Sequence, residues 1–152
     1  MDEKDESILK VLGRRSGLSS RALSKMLDIP IPTVHRRVKK MEKEGVIIGY
    51  KALVNYEKTT WPIGALLLIN LSEAVPGKGP IPKKEVLRTL RVFDEIEEII
   101  EVQATDFDLV VRVRFRSLRK LSEFIEKLRY VEGIEETSSA IITEETVLPP
   151  HA

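Results

Sequence analysis

The sequence lacks most of the residue types from which disulfides, metal sites and acid–base centres are built. Its 152 residues include no cysteine, which excludes a disulfide framework and fits the reducing cytoplasm, where we expect the protein to be. The only histidines are His35 and His151, the second in the tail, so no histidine-based catalytic centre is expected. Because no run of about 18 apolar residues is present, we expect no transmembrane helix and no membrane partner.

Two stretches resemble ligand sites only superficially. The segment PGKGP at residues 76–80 is too short for a phosphate-binding loop and lacks its Gly-Lys-Ser/Thr ending. An acidic cluster lies at a helix end and strand start rather than in a metal-binding loop, and we interpret it, like Glu144–Glu145, as a solvated edge. Its members are Asp94, Glu95, Glu97, Glu98 and Glu101. We predict no enzyme activity, no cofactor and no metal site.

Charge is distributed unequally along the chain. Residues 1–58 contain 13 Lys or Arg and 8 Asp or Glu, a net charge of +5, whereas residues 59–152 contain 12 and 16, a net charge of −4. A basic front and an acidic back indicate two parts with different partners. We therefore predict a first domain at residues 1–50, a strand or linker at 51–61 and a second domain at 62–152.

The first domain is predicted to contain three short helices. The second helix spans Ser20 to Leu27, with Ser19 as its N-cap. Asp28 tolerates the left-handed backbone of a sharp turn, and Pro30 suits the start of the third helix. Two helices joined by such a turn indicate a winged-helix-like helix-turn-helix domain, in which VIIGYKALVN at residues 46–55 is typical of a strand.

The third helix concentrates positive charge on one side. Five cations lie between Arg36 and Lys43, while Val34, Val38 and Met41 fall on the opposite side of a helical wheel. Solvated helix faces more often mix charge signs, and the second helix of this motif usually enters the major groove. We therefore predict double-stranded DNA as a partner, in preference to a purely structural three-helix bundle. The predicted contacts are to base edges for Thr33, His35 and Arg36, and to phosphates for Ser20, Arg21, Arg37, Lys39 and Lys40.

The second domain has the element order βαββαβ, which predicts a ferredoxin-like unit and, with the first domain, an α+β protein. Its first strand, Ile63 to Leu71, is almost wholly apolar and should be covered on both faces. The two helices can cover only one face, so a second copy of the chain is the simplest cover for the other. The last strand is expected from Ile134 to about Val147.

The second and third strands are predicted to form a hairpin. The expected strands are Ile99–Ala104 and Leu109–Phe115, joined by TDFD at Thr105–Asp108. In this register the apolar residues share one face, and Glu101 lies opposite Arg112 on the other.

These motifs together resemble one family. The stretch DESILKVL, followed by LSSRALSKMLDIPIPTVHRRVKKMEKEGVIIGYKALVN, resembles the N-terminal half of the Lrp/AsnC (feast/famine) transcription regulators of bacteria and archaea. The βαββαβ unit resembles that family's effector-binding and assembly domain. The run from Arg37 to Tyr50, the hairpin DFDLVVRV and the domain order make the resemblance specific.

The resemblance implies a homodimer, or a tetramer or octamer of paired dimers, joined through the C-terminal sheets. It also implies an amino-acid effector in a cleft bordered by the loop between the second and third strands. The residues placed there are Gln103, Thr105, Asp106, Phe107 and Asp108, with either aspartate as counter-charge for an amino group. The family usually has glycine where this chain has Thr105, so we expect the usual ligand to fit poorly.

The sequence is best interpreted as a sequence-specific DNA-binding transcriptional regulator that responds to an amino acid or a related small molecule. One alternative is a small-molecule sensor whose basic helix docks on a protein; it would show no salt-sensitive DNA binding. The other is an architectural nucleoprotein without discrete operator specificity, which would leave no discrete footprint.

Overall fold

A computed structural model describes residues 1–148 and divides the chain into two compact units. One unit comprises Met1–Val54 and the described residues from Thr146 onward, and the other comprises Asn55–Glu145. Residues 149–152, which include His151, lie outside the described residues. Within residues 1–148, none of the helices has the length and apolar character needed to span a bilayer. The domain limits at residues 50 and 61 stay a prediction.

The N-terminal unit is a bundle of three helices. These helices are α1 (Glu3–Leu12), α2 (Ser20–Leu27) and α3 (Ile31–Lys43). Their apolar stripes meet in one small core, because each helix repeats apolar residues at three- and four-residue spacing. The fully buried members are Ile8, Leu12, Leu23, Ile29, Val34 and Met41.

The strand predicted at residues 46–55 is wrong. The chain from Gly45 to Asn55 forms no strand, and a short 3-10 helix follows at Tyr56–Lys58. A strand needs a neighbour for its amides and carbonyls, and no strand within the described chain pairs with this segment. Most of its apolar side chains are correspondingly exposed, Ile48 by 95% and Leu53 by 66%, although Ile47 packs against the core.

The C-terminal unit confirms the predicted βαββαβ order. Its elements are β1 (Ile63–Leu71), α4 (Lys83–Leu90), β2 (Ile96–Glu101), β3 (Leu109–Phe115), α5 (Leu118–Leu128) and β4 (Ile134–Ile141). The strands form an antiparallel sheet in the order β2-β3-β1-β4. Alternation along β1 sends Leu67 and Ile69 into the core shared with α4 and α5, and Leu66 and Leu68 to the opposite face. β4 ends at Ile141, six residues earlier than predicted.

The predicted register of the β2–β3 hairpin is wrong. The connection is Val102–Asp108 rather than four residues, and Arg112 lies opposite Glu98 instead of Glu101. The shift reverses the faces of β2, so that Ile99 packs on the core, whereas Ile100 is 43% exposed. The observed register packs Ile96 and Ile99 against the core, where the predicted one would place Ile100, Val102 and Ala104, and it still pairs opposite charges.

Candidate nucleic-acid interface

Local backbone chemistry fixes the turn between α2 and α3. The Ser19 Oγ accepts a hydrogen bond from the Ala22 amide at 3.1 Å, which confirms the predicted cap of α2. Asp28 has φ 55°, the left-handed conformation predicted for it. Pro30 precedes α3 and makes no side-chain cap. The sharp turn and the proline together direct the chain from α2 into α3.

The amphipathic pattern of α3 separates a buried face from a charged one. Val34 and Met41 are 0% and 2% exposed, and they anchor the helix in the core of the N-terminal unit. The cations on the outer face are exposed, namely Arg36, Lys39, Lys40 and Lys43. Of the other predicted DNA contacts, Arg21 and His35 are exposed, and Ser20 and Thr33 are half-buried. The exposed cations therefore form a surface that an anion can reach.

Two of these lysines have acidic partners on the same helix. Lys39 Nζ lies 3.0 Å from Glu42 Oε2, and Lys40 Nζ lies 3.9 Å from Glu44 Oε1. Exposed pairs at i,i+3 or i,i+4 stabilise a helix by only a few tenths of a kcal/mol, roughly 0.3–0.5. A stronger anion can replace such partners readily, so the pairs leave the lysines accessible.

Arg37 differs from its neighbours because its guanidinium is held inside the N-terminal unit. Its Nη1 donates to Asp2 Oδ2 at 2.7 Å and to Asp5 Oδ1 at 3.0 Å, and its side chain is only 20% exposed. The hydrogen bond from Arg37 lowers the pKa of Asp2 to about 2. The Asp5 pKa is lowered first by the Asp2 amide and then by Arg37. The phosphate contact of Arg37 stays a prediction, but the structure already gives this residue two carboxylate partners.

A second polar contact joins α3 to the segment that follows it. Tyr50 Oη donates to Glu42 Oε1 at 2.7 Å, and this hydrogen bond lowers the pKa of Glu42 and raises that of Tyr50. Since Lys39 bonds the other oxygen of Glu42, this carboxylate is occupied on both sides. The contact fixes residue 50 against the C-terminal end of α3.

The predicted effector loop has one fixed aspartate and an exposed remainder. Asp108 Oδ2 accepts a hydrogen bond from the Leu71 amide at 2.8 Å, and the Asp108 amide donates to the Ile69 carbonyl at 2.8 Å. Asp108 therefore secures the end of β1. The other predicted residues, Gln103, Thr105 and Asp106, are exposed, and Phe107 is half-buried.

Sequence reasoning missed a buried arginine in the C-terminal unit. Arg114 is 6% exposed, its Nε donates to Glu97 Oε1 at 2.6 Å, and its guanidinium lies 3.6 Å from the centre of the Tyr56 ring. Glu145 lies 3.3 Å from the same guanidinium, and Gly64 leaves room for it, since a Cβ there would stand 3.1 Å from Nη1. The one available signal was a glycine inside an otherwise apolar strand.

The solvated-edge interpretation is therefore wrong for Glu97 and Glu145, whereas Glu98 is exposed. Glu97 and Glu145 bind the buried Arg114, and Glu98 lies 3.5 Å from Arg112. Their partners come from a neighbouring strand or from distant parts of the chain, so charge runs alone could not reveal them. Glu97 and Glu145 compensate a cation, Arg114, that would otherwise be buried alone.

Comparison with known proteins places this architecture in a family. A model described as winged helix-turn-helix DNA-binding matches residues 1–48, and one described as the Lrp/AsnC ligand binding domain matches residues 80–150. The chain is 31% identical over 153 aligned positions to the HTH-type transcriptional regulator FL11 of Pyrococcus abyssi (strain GE5 / Orsay), covering 98% of this chain and 96% of that protein. The chain thus belongs to the Lrp/AsnC family. It is a DNA-binding transcriptional regulator, as the sequence predicted.

Solved structures agree with this fold. The transcriptional regulator NMB0573 of Neisseria meningitidis, solved as a complex with L-Met, has a TM-score of 0.80 at 20% identity, covering 98% of this chain and 94% of that one. Escherichia coli AsnC has a TM-score of 0.72 at 23% identity, covering 97% and 95%. The α+β architecture predicted from the sequence is confirmed.

Proposed function

We propose that the exposed face of α3 reads operator DNA in the major groove. Thr33, His35 and Arg36 occupy its first turns and would contact base edges. Ser20, Arg21, Lys39 and Lys40 would hold phosphates, since cations and hydroxyl groups at these places suit backbone contacts. Arg37 would hold α1 against α3 through Asp2 and Asp5. The observation that carries the proposal is the exposed row of cations on a helix that follows a tight helix-turn-helix turn.

The proposal requires two copies of α3 on one duplex. The sheet of the C-terminal unit has an apolar face opposite α4 and α5, where Leu66, Leu68 and Val110 lie. Pairing of two such faces would remove them from water and give a homodimer, from which tetramers or octamers would be built. The recognition helices would then meet half-sites about 34–36 Å apart, or a multiple of that spacing.

We further propose that the connection between β2 and β3 contacts an amino acid or a related small molecule. Support comes from the match to the ligand binding domain and from the L-Met complex of the similar NMB0573. Since Asp108 already bonds the Leu71 amide, Asp106 is the better counter-charge for an amino group. Gln103 and Phe107 would contribute a hydrogen bond and an apolar contact. The role is binding rather than catalysis, in the cytoplasm, where the chromosome is accessible.

The test is selection of bound sequences from a random DNA pool, with and without the twenty amino acids. Arg36→Ala should relax the selected motif and cost about 1–3 kcal/mol at one position, because arginine bonds guanine bidentately. Lys40→Ala should lower the affinity for all DNA sequences alike and reduce the magnitude of the slope of log K against log salt concentration by about 0.9. Lys127→Ala on α5 is the matched control and should change neither.

Each outcome of this selection has a clear meaning. If neither Arg36→Ala nor Lys40→Ala alters binding, the placement of the reading helix is refuted. If DNA binding is salt-sensitive but no sequence motif is selected, the protein is an architectural nucleoprotein and not a regulator that recognises a discrete operator. An unchanged motif and affinity in the presence of all twenty amino acids would refute the amino-acid effector alone.

A further inference from the structure

The outer surface of α4 carries a basic cleft that is separate from the residues assigned above to DNA or effector binding. Its volume is about 350 Å³. It is lined by four cations, one apolar residue and one acid, namely Lys83, Lys84, Arg88, Arg91, Leu87 and Glu101. No residue of the predicted effector set lines this α4 cleft.

Three of the four cations that line the α4 cleft make no ion pair within the described residues. Within residues 1–148, the α4 cleft contains one ion pair, between Lys83 Nζ and Glu101 Oε1 at 3.5 Å. On α5, Lys120 lies 3.1 Å from Glu123, and Arg129, just after the helix, lies 3.4 Å from Glu126, while Arg119 and Lys127 make no ion pair in the described chain. What distinguishes α4 is that its unpaired cations line one cleft.

Glu85 in the first turn and Arg88 in the last turn suit the dipole of α4, but other charges of this helix do not. Lys83 and Lys84 stand in the first turn, where the positive end of the helix dipole repels cations, and Lys84 and Arg88 are like charges at i,i+4. Residues 55–145 as a whole contain 13 basic and 17 acidic side chains, so the cleft is a positive region in an acidic unit. A bound anion would remove the repulsion that the fold leaves in place.

We propose that the α4 cleft binds a small phosphate-bearing ligand. Arg88 and Arg91 each present a planar fork of donors that matches a phosphate group, and Lys84 adds a third unpaired cation. Leu87 supplies an apolar floor, and the volume lies within the usual range for small-ligand pockets. Glu101, which pairs with Lys83, can accept hydrogen bonds from hydroxyl groups of a small molecule. A free amino acid, with one α-carboxylate, would leave most of these donors unused.

In the experiment, pyrophosphate is titrated into the full chain at constant ionic strength, and calorimetry measures the heat of binding. We expect saturable binding of one pyrophosphate per chain and weaker binding of citrate, which carries similar charge without phosphorus. Arg88→Ala with Arg91→Ala should weaken pyrophosphate binding at least tenfold. The control pair Lys120→Ala with Lys127→Ala, which removes two exposed cations from α5, should stay within twofold of the native chain.

Other results would overturn the proposal. Binding that does not saturate, or that the control pair weakens equally, would show only a general attraction of anions. If variants of Arg88 and Arg91 bind pyrophosphate normally but lose affinity for DNA, the cleft is a DNA-binding surface. If the variants change only the mass of the assembly, the cleft is a contact between copies of the chain. Because α3 is untouched, operator binding by the Arg88/Arg91 variant is expected to match the native chain, which separates this test from that of the DNA interface. If the double alanine variant folds poorly, the pyrophosphate titration is repeated with Arg88→Gln and Arg91→Gln.

Discussion

Two adjacent arginines on α3 have identical side chains but different environments. Arg36 is exposed and makes no ion pair within the described residues, whereas Arg37 binds Asp2 and Asp5. A turn of 100° between successive helical residues explains the difference, because it moves Arg37 to the border that faces α1. The Nε of Arg37 is buried and has no partner in the described chain, so the residue is held by its Nη1 contacts.

The ion pair of Asp2 should make stability depend on pH in a defined window. Asp2→Asn removes the charge and retains a good N-cap for α1, so it isolates the electrostatic contribution. The pKa of Asp2 is lowered from about 3.8 to about 2, and the carboxylate therefore stabilises the folded state above pH 4. The difference in free energy of unfolding between the native chain and Asp2→Asn should be constant from pH 5 to 8. It should shrink as the pH falls from 4 to 2, as followed by urea unfolding.

Glu3→Gln is the matched control for this measurement. Glu3 stands beside Asp2 in the first turn of α1 and makes no ion pair in the described chain. Its substitution should give a smaller difference that lacks the same decline between pH 4 and 2. Equal pH profiles for the two variants would contradict the role assigned to the Arg37 contacts.

Whole elements were predictable where local signals coincide with long-range packing. The observed limits of α2, β1 and β3 match the predicted ones, because Ser19 caps α2 and apolar runs define the two strands. Segments whose structure depends on distant partners were not predictable. Residues 46–55 are apolar enough for a strand but have no neighbour to pair with in the described chain, and β2 could satisfy its two faces in more than one register.

The features of the candidate site also fall into those that the sequence could predict and those that it could not. Periodicity along α3 identified its exposed cations, since the pattern of buried and exposed positions is local. The contacts of Arg37 with Asp2 and of Arg114 with Tyr56 join residues 35 and 58 positions apart. No periodicity reports such pairs, and only the folded chain brings them together.

The corrected hairpin register can be tested with a double-mutant cycle. In the observed register Arg112 Nε lies 3.5 Å from Glu98 Oε2, while Glu101 forms an ion pair with Lys83. The cycle of Glu98→Gln and Arg112→Gln should give a coupling energy at the low end of about 0.2–1 kcal/mol, since both side chains are partly exposed. The control cycle of Glu101→Gln with Arg112→Gln should give no coupling within error. Denaturant unfolding measures both, and the reverse order of couplings would restore the register expected from the sequence.

At the scale of the whole molecule, the C-terminal sheet is covered by α4 and α5 on one face only. The opposite face combines the apolar Leu66, Leu68 and Val110 with the charged cluster around Arg114. An apolar centre with a polar edge is typical of a surface that pairs with another protein. The dimer proposed above uses this surface, and a regulator with two recognition helices depends on it.

Leu68→Asp should therefore separate the copies. The substitution places an unpaired carboxylate in the centre of the helix-free face of each sheet. In the proposed dimer, the two carboxylates would face each other without a compensating cation. Sedimentation velocity should show the mass falling toward that of one chain, 17.3 kDa. Affinity for DNA carrying two half-sites should fall at least tenfold, while affinity for a single half-site should not change, because α3 is untouched. Tyr130→Asp, which changes a side chain that is 86% exposed in the same unit, should leave mass and affinity as they are. An assembly that keeps its mass after Leu68→Asp would show that this face of the sheet does not join the copies.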